Sequence, residues 1–128
     1  MIDHTGLVVS NYERSKRFYQ AALEPIGYAL LHEFPRGVTG TADVAGFGEK
    51  ATQKPDFWFS NGEPNRPAVH IAFRVSSRAL VDAFYRAALA AGGVDNGAPG
   101  LRPHYHPNYY GAFVRDPDGH NIEAVCHE

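Results

Sequence analysis

Asp116-Pro117-Asp118-Gly119-His120-Asn121-Ile122-Glu123 is the stretch that decides how this chain folds. Asp-Pro-Asp-Gly is turn chemistry. Pro117 pre-sets φ at the second turn position, the Asp116 side chain can bond back to the turn backbone, and Gly119 closes it. The runs on either side, Tyr110-Gly111-Ala112-Phe113-Val114 and Ile122-Glu123-Ala124-Val125-Cys126, have strand composition. Together they predict a hairpin at the end of the chain. Its second strand carries a carboxylate, Glu123, in the middle of an apolar run. A buried carboxylate is costly unless a cation, a metal or a set of donors meets it.

The start of the chain has the same construction as its middle. Ile2 to Val9 is apolar and β-rich, with His4, Gly6 and Val8 on one face and Asp3, Thr5, Leu7 and Val9 on the other. Ser10-Asn11-Tyr12-Glu13 has the form of a capping box. The helix predicted after it carries Ser15, Phe18, Tyr19, Ala22 and Leu23 on one stripe, and Pro25 and Gly27 end it. Strands are expected over 28–34, 42–47 and 56–59, with a break at Pro35-Arg36-Gly37. His70 to Val75 then opens a second strand–helix unit, with Ser76 and Ser77 as cap candidates and Leu80, Phe84, Ala88 and Ala91 at helical spacing. Gly92-Gly93 end that helix, and Val94 to Leu101 is a Gly/Pro-interrupted strand or loop.

The two halves superpose without a gap at an offset of 66 residues. His4 falls on His70, Val9 on Val75 and Ser10 on Ser76. Phe18-Tyr19 falls on Phe84-Tyr85, Ala21-Ala22-Leu23 on Ala87-Ala88-Leu89, and Gly27 on Gly93. The matches sit on a strand start, a cap, a core stripe and a helix end. Such a repeat means two copies of one unit, approximately 1–62 and 68–128, each needing the other to cover an apolar face. The expected class is α+β in a single domain.

Composition excludes several alternatives. The chain has 128 residues, 44% of them hydrophobic, and a net charge of -2, so nothing suggests nucleic-acid binding. No apolar run approaches membrane-spanning length, and no signal-peptide pattern opens the chain. The one cysteine, Cys126, cannot form an internal disulfide, which points to a cytoplasmic location.

Two repeat-equivalent histidines, His4 and His70, each open a strand, and a pseudo-twofold would bring those strands together. With Glu123 they match a facial triad with open coordination positions, suited to a divalent first-row metal. The plainer alternative makes both histidines half-buried strand residues and pairs Glu123 with Arg74 or Arg115. At the same offset Glu123 falls on Phe57, flanked by Asp56 and Trp58, so one three-ligand site is expected rather than a four-ligand one. The loop Arg102 to Tyr110 is rich in rings. His104 or His106 is a candidate general base there, and Tyr109 a candidate catalytic donor. The plainer reading of that loop is a cover for an edge or a subunit interface. Trp58 and Phe59 read as pocket wall or core, while His32, His120 and His127 have no supporting pattern.

On these residues the chain resembles the vicinal oxygen chelate superfamily, which includes glyoxalase I, fosfomycin-resistance thiol transferases, bleomycin-resistance proteins and type I extradiol dioxygenases. The carriers are Ile2 to Val9, Phe18-Tyr19, Val69 to Phe73 and Asp116 to Glu123. The resemblance implies paired βαβββ modules forming a curled mixed sheet around a metal cleft, with His4, His70 and Glu123 as ligands of a divalent Zn, Mn, Ni, Co or Fe ion. It also implies a small-molecule substrate and a homodimer, in which modules are often exchanged. Glyoxalase I uses a further glutamate from the fourth strand, where this chain has Phe57 or Trp58. Three functions follow as expectations. The first is a metal-dependent lyase, isomerase or thiol transferase acting on a small oxygen-rich substrate. The second is an Fe(II) dioxygenase, and the third a drug-binding protein without turnover.

Overall fold

The computed structural model describes residues 1–128. Strand β1 (Thr5–Val9) leads through helix α1 (Tyr12–Leu23) to β2 (Tyr28–Phe34), β3 (Val44–Glu49) and β4 (Pro55–Asn61). Strand β5 (His70–Arg74) leads through a second long helix to β6 (Val94–Leu101), β7 (Tyr110–Arg115) and β8 (Asn121–Cys126). A one-turn helix, α2 (Arg36–Thr39), occupies the predicted break, so the second long helix is α3 (Arg78–Ala90). The fold is the expected pair of βαβββ units. Each forms a mixed four-stranded sheet, ordered β1-β4-β3-β2 and β5-β8-β7-β6, with the first and last strands of each unit parallel. The two sheets are not hydrogen-bonded into one, and β1 and β5 are both edge strands.

Local chemistry explains the elements. All five stripe residues of α1 are buried. Its cap, however, is Asn11, whose side chain accepts from the Arg14 N–H at 3.0 Å. Ser10, the expected cap, is drawn instead to Asp118: its hydroxyl donates to Oδ1 at 2.5 Å and its N–H to Oδ2 at 3.1 Å. A carboxylate out-competes a weak helix-end role. Ser77 caps α3 through the Leu80 N–H. Gly27, with φ of 87°, ends the first helical segment in the left-handed region that glycine enters without strain.

One hydrophobic core spans both units. Leu7 and Val9 of β1, Phe57 and Phe59 of β4, Phe18, Tyr19 and Leu23 of α1, Phe84 of α3, and Ile122 and Ala124 of β8 all belong to it. Phe73 of β5 meets Tyr28 and Phe57 of the first unit with centroids 5.2 and 5.4 Å away.

The Asp116 turn joins the halves as well as turning the chain. Asp116 Oδ1 accepts the N–H groups of Asp118 and His120, both at 2.9 Å. Its Oδ2 accepts the buried hydroxyl of Tyr19, on α1, at 2.5 Å. His120, fully buried, accepts the Val69 N–H at Nδ1 (3.0 Å), so its proton lies on Nε2 and is donated to the Val8 carbonyl at 3.0 Å. The histidine left without a role by its sequence context is thus a clamp between the units.

Candidate metal centre

The site is built on the outer face of the second sheet. Along β8, Ile122 and Ala124 point into the core, and Glu123 points the other way, between Ala72 of β5 and Phe113 of β7. Glu123 is nevertheless only 1% exposed. Its carboxylate lies over Gly111, where an added Cβ would stand 3.2 Å from Oε1 and 3.2 Å from the Tyr109 ring. No arginine or lysine reaches it, so the pairing with Arg74 or Arg115 does not form. Arg115 donates to the Gly119 carbonyl instead, at 3.2 Å.

Two groups meet the carboxylate. The Tyr109 hydroxyl donates to Oε1 in a very short hydrogen bond. His70 Nε2 stands 3.1 Å from Oε2. The other ring nitrogen of His70, Nδ1, lies 3.0 Å from the Asn121 carbonyl and can only donate to it. A neutral His70 therefore turns an Nε2 lone pair toward a carboxylate oxygen. Two acceptors facing one another at this distance need a positive charge between them: a proton that makes His70 imidazolium, or a cation. Two ligand atoms bound cis to one ion at about 2.1 Å each would be about 3 Å apart, which is the observed separation.

His4 repeats the pattern. Its Nδ1 is bonded to Asp3 Oδ1 at 2.7 Å, leaving Nε2 free. The His4 hydrogen bond first, and Lys54 second, hold the Asp3 carboxyl below its usual range. Histidines that ligate metals commonly donate their second N–H to a carboxylate or carbonyl in this way. His4 and His70 line a common hollow of about 500 Å³ between the two units, together with Tyr28, Asp56 and Arg74. Within the single chain no three His, Cys, Asp or Glu side chains converge on one point. His70 and Glu123 are brought together, and His4 stands apart from them.

The ring-rich loop packs around Tyr109. The Tyr105 and His106 rings lie 4.9 and 5.3 Å from it, and His127 lies 5.4 Å away. The Asn108 N–H donates to His106 Nδ1 at 3.1 Å, so the His106 proton is on Nε2 and is directed at His127 Nδ1, 2.7 Å away. In this arrangement His106 is a donor with no free lone pair. His104 is exposed and packs on Tyr105, 4.2 Å between centroids. Burial first, and the hydrogen bond to Glu123 second, raise the Tyr109 pKa far above that of a free phenol, so Tyr109 is held protonated. His127 was invisible to sequence pattern because only folding carries the chain end beside the loop.

Strand pairing corrects one expectation. Glu123 is opposite Ala72, and Ala72 is equivalent to Gly6, which is opposite Trp58. The counterpart of Glu123 is therefore Trp58, and not Phe57, which lies in the core. The constant offset fails because a β-bulge at Phe47/Gly48 and a longer turn separate β3 from β4, whereas β7 and β8 pair without a break. The first sheet still offers no carboxylate at the matching place.

Among curated proteins, none matches the chain. A glyoxalase/bleomycin resistance protein from Albidiferax ferrireducens T118 is 24% identical over 98% of each chain, with a TM-score of 0.77. The fosfomycin resistance protein FosX from Listeria monocytogenes, solved with Mn(II) and sulfate, is 16% identical over 100% of this chain and 93% of that one, at a TM-score of 0.70. Glyoxalase I from Zea mays, in mutant form, is 23% identical, covering 97% of this chain and 46% of that one, at a TM-score of 0.71. At these identities the likeness shows the fold. The sequence profile of the Glyoxalase/Bleomycin resistance protein/Dioxygenase superfamily matches residues 1–124, and the chain belongs to that superfamily.

Proposed function

We propose that the chain is a metal-dependent enzyme in which His4, His70 and Glu123 hold one divalent ion, with Zn, Mn, Ni, Co or Fe all compatible with the donor set. It would act as a lyase, isomerase or thiol transferase on a small substrate with adjacent oxygens. The observation that carries the reading is the pair of lone-pair atoms, His70 Nε2 and Glu123 Oε2, aimed at one another across 3.1 Å with no lysine or arginine paired to either. His4, with Nδ1 occupied and Nε2 free, supports it. The FosX relative was solved with Mn(II).

The protein groups divide the work. The Asn121 carbonyl and the Asp3 carboxylate orient the two imidazoles. Tyr109 occupies Oε1, leaving Oε2 as the ligand atom, and acts as a hydrogen-bond donor rather than a base because its proton is tightly held. Phe113, stacked 6.2 Å from the His70 ring and covered by the Arg102 guanidinium at 5.4 Å, walls the site and limits water. A bound divalent ion would supply Lewis-acid polarisation of the substrate oxygens.

The assembly is a twofold homodimer in this reading. Within one chain His4 stands apart from His70 and Glu123. A second copy would bring His4 of one chain to His70 and Glu123 of the other across an isologous contact. No helix is long and apolar enough to cross a membrane; a cytoplasmic site of action belongs to this reading on the ground of the single cysteine.

Metal content by mass spectrometry tests the reading, on protein purified without chelator, beside Glu123→Ala. The expected result is about one ion per chain, lost in the variant. Absence of metal from both, even after incubation with divalent ions, overturns it. Activity that requires Fe(II) and consumes oxygen would move the assignment to a dioxygenase, and tight ligand binding untouched by chelator would move it to a binding protein.

A further inference from the structure

The outer face of the first sheet carries a feature that metal ligation does not use. One row across it runs Gly6, Trp58, Gly46, His32, and the next runs Val8, Ser60, Val44, Phe34. A Cβ on Gly46 would stand only 2.6 Å from the Trp58 ring. The indole therefore lies down on the β3 backbone, and glycine is what permits it. The rings of His32 and Phe34 are within 10° of the indole plane, with all three centroids 6.1–6.2 Å apart.

This arrangement differs from most of the interior, where Phe47 and Phe59, at 27°, come nearest to parallel. There, Tyr19 meets Phe18, Phe47 and Phe57 edge-on, and Phe73 meets Phe57 at 88°. Interlocked, tilted rings fill a core; parallel rings on an open face present a flat apolar surface. The surface is accessible: His32 is exposed and Phe34 is 41% exposed. The indole also borders a hollow of about 620 Å³ that it shares with His4 and Lys54. A flat ring resting on the indole would thus have the free Nε2 of His4 at its edge.

We propose that this face is a stacking platform, and that the substrate is a small, planar, conjugated molecule carrying its oxygen donors on one edge. The stacking end stands on the platform alone. The placing of the oxygens toward a metal rests on the reading in the preceding subsection. Every ring system has a π-face, so the platform selects for flatness rather than for a particular functional group.

Binding to metal-stripped protein separates the two claims. The probes are 2-naphthoate and decahydro-2-naphthoate, equal in charge and skeleton but flat and puckered respectively, measured by calorimetry. Trp58 is the one tryptophan of the chain, so its indole N–H gives a single proton resonance. The flat acid should bind about tenfold tighter than the saturated one and shift that resonance upfield. Trp58→Leu should remove the preference. The double variant His32→Ala/Phe34→Ala, at exposed positions that leave the core intact, should weaken it and stands in if Trp58→Leu does not fold. Equal binding of the two acids overturns the proposal, as does a preference that survives both variants. Because metal is absent throughout, failure of the metal site leaves this result untouched, and metal retention by Trp58→Leu reports on the other claim.

Discussion

Replacing Tyr19 by Phe removes one oxygen atom from a fully buried side chain and tests how the halves are held together. The hydroxyl donates to Asp116 Oδ2 at 2.5 Å, and Asp116 is itself 3% exposed. The two N–H bonds to Oδ1 survive the change. Oδ2 is left inside with no other donor. A hydrogen bond to a charged group contributes about 1.5–3 kcal/mol, and a buried oxygen stranded without a partner puts the cost in the upper part of that range, about 2–3 kcal/mol. For a chain of this size each kcal/mol moves Tm by about 3–5 °C, so a fall of roughly 6–15 °C is expected. Urea unfolding should show a lower midpoint with unchanged slope. The pH dependence supplies a second reading. Burial first, and the Asp116 charge second, raise the Tyr19 pKa above that of an unfolded tyrosine, about 10. The stability this contributes is complete below about pH 10 and is lost as pH rises beyond it. Wild type should therefore lose stability faster than Tyr19→Phe in that range, and the gap between them should narrow. A cost below about 0.5 kcal/mol at neutral pH, or a double-mutant cycle with Asp116→Asn showing no coupling, would refute the view that this bond ties α1 to the turn.

Two further outcomes are expected. Tyr109→Phe strips Glu123 Oε1 of its donor while leaving Oε2, the proposed ligand atom, in place; divalent metal affinity should drop about 10–100-fold in a chelator competition titration, with the fold unchanged by circular dichroism. His120→Leu leaves the Val69 N–H and the Val8 carbonyl without partners at the joint between the units. It should cost roughly 2–4 kcal/mol in denaturant unfolding and speed amide exchange at Val69, whereas unchanged exchange there would count against a clamp.

The repeat was legible because periodicity and caps are local. The stripe Ser15, Phe18, Tyr19, Ala22, Leu23 follows from 3.6-residue spacing, and all five are buried. The alternation along β1 put Leu7 and Val9 on one face for the same kind of reason, and in the fold both are buried. Glu123 was marked by the cost of a carboxylate in an apolar strand, and His70 by its repeat position. What sequence could not supply was anything set by partners far along the chain. Ser10 lost its cap role to Asp118, 108 residues away. His120 had no pattern around it because its partners, Val8 and Val69, come from other elements. The counterpart of Glu123 shifted from Phe57 to Trp58 because a bulge changes strand register without changing strand composition. Residue order alone thus determined two strand–helix–strand units and their buried faces, since these depend on neighbours within a few positions, and it marked two residues of the candidate site, Glu123 by its apolar neighbours and His70 by the repeat. Only the tertiary structure decided which histidine nitrogen is free, that no lysine or arginine pairs with Glu123, and that the Trp58, His32 and Phe34 rings lie parallel on one face, because each depends on distances between strands that no spacing along the chain encodes.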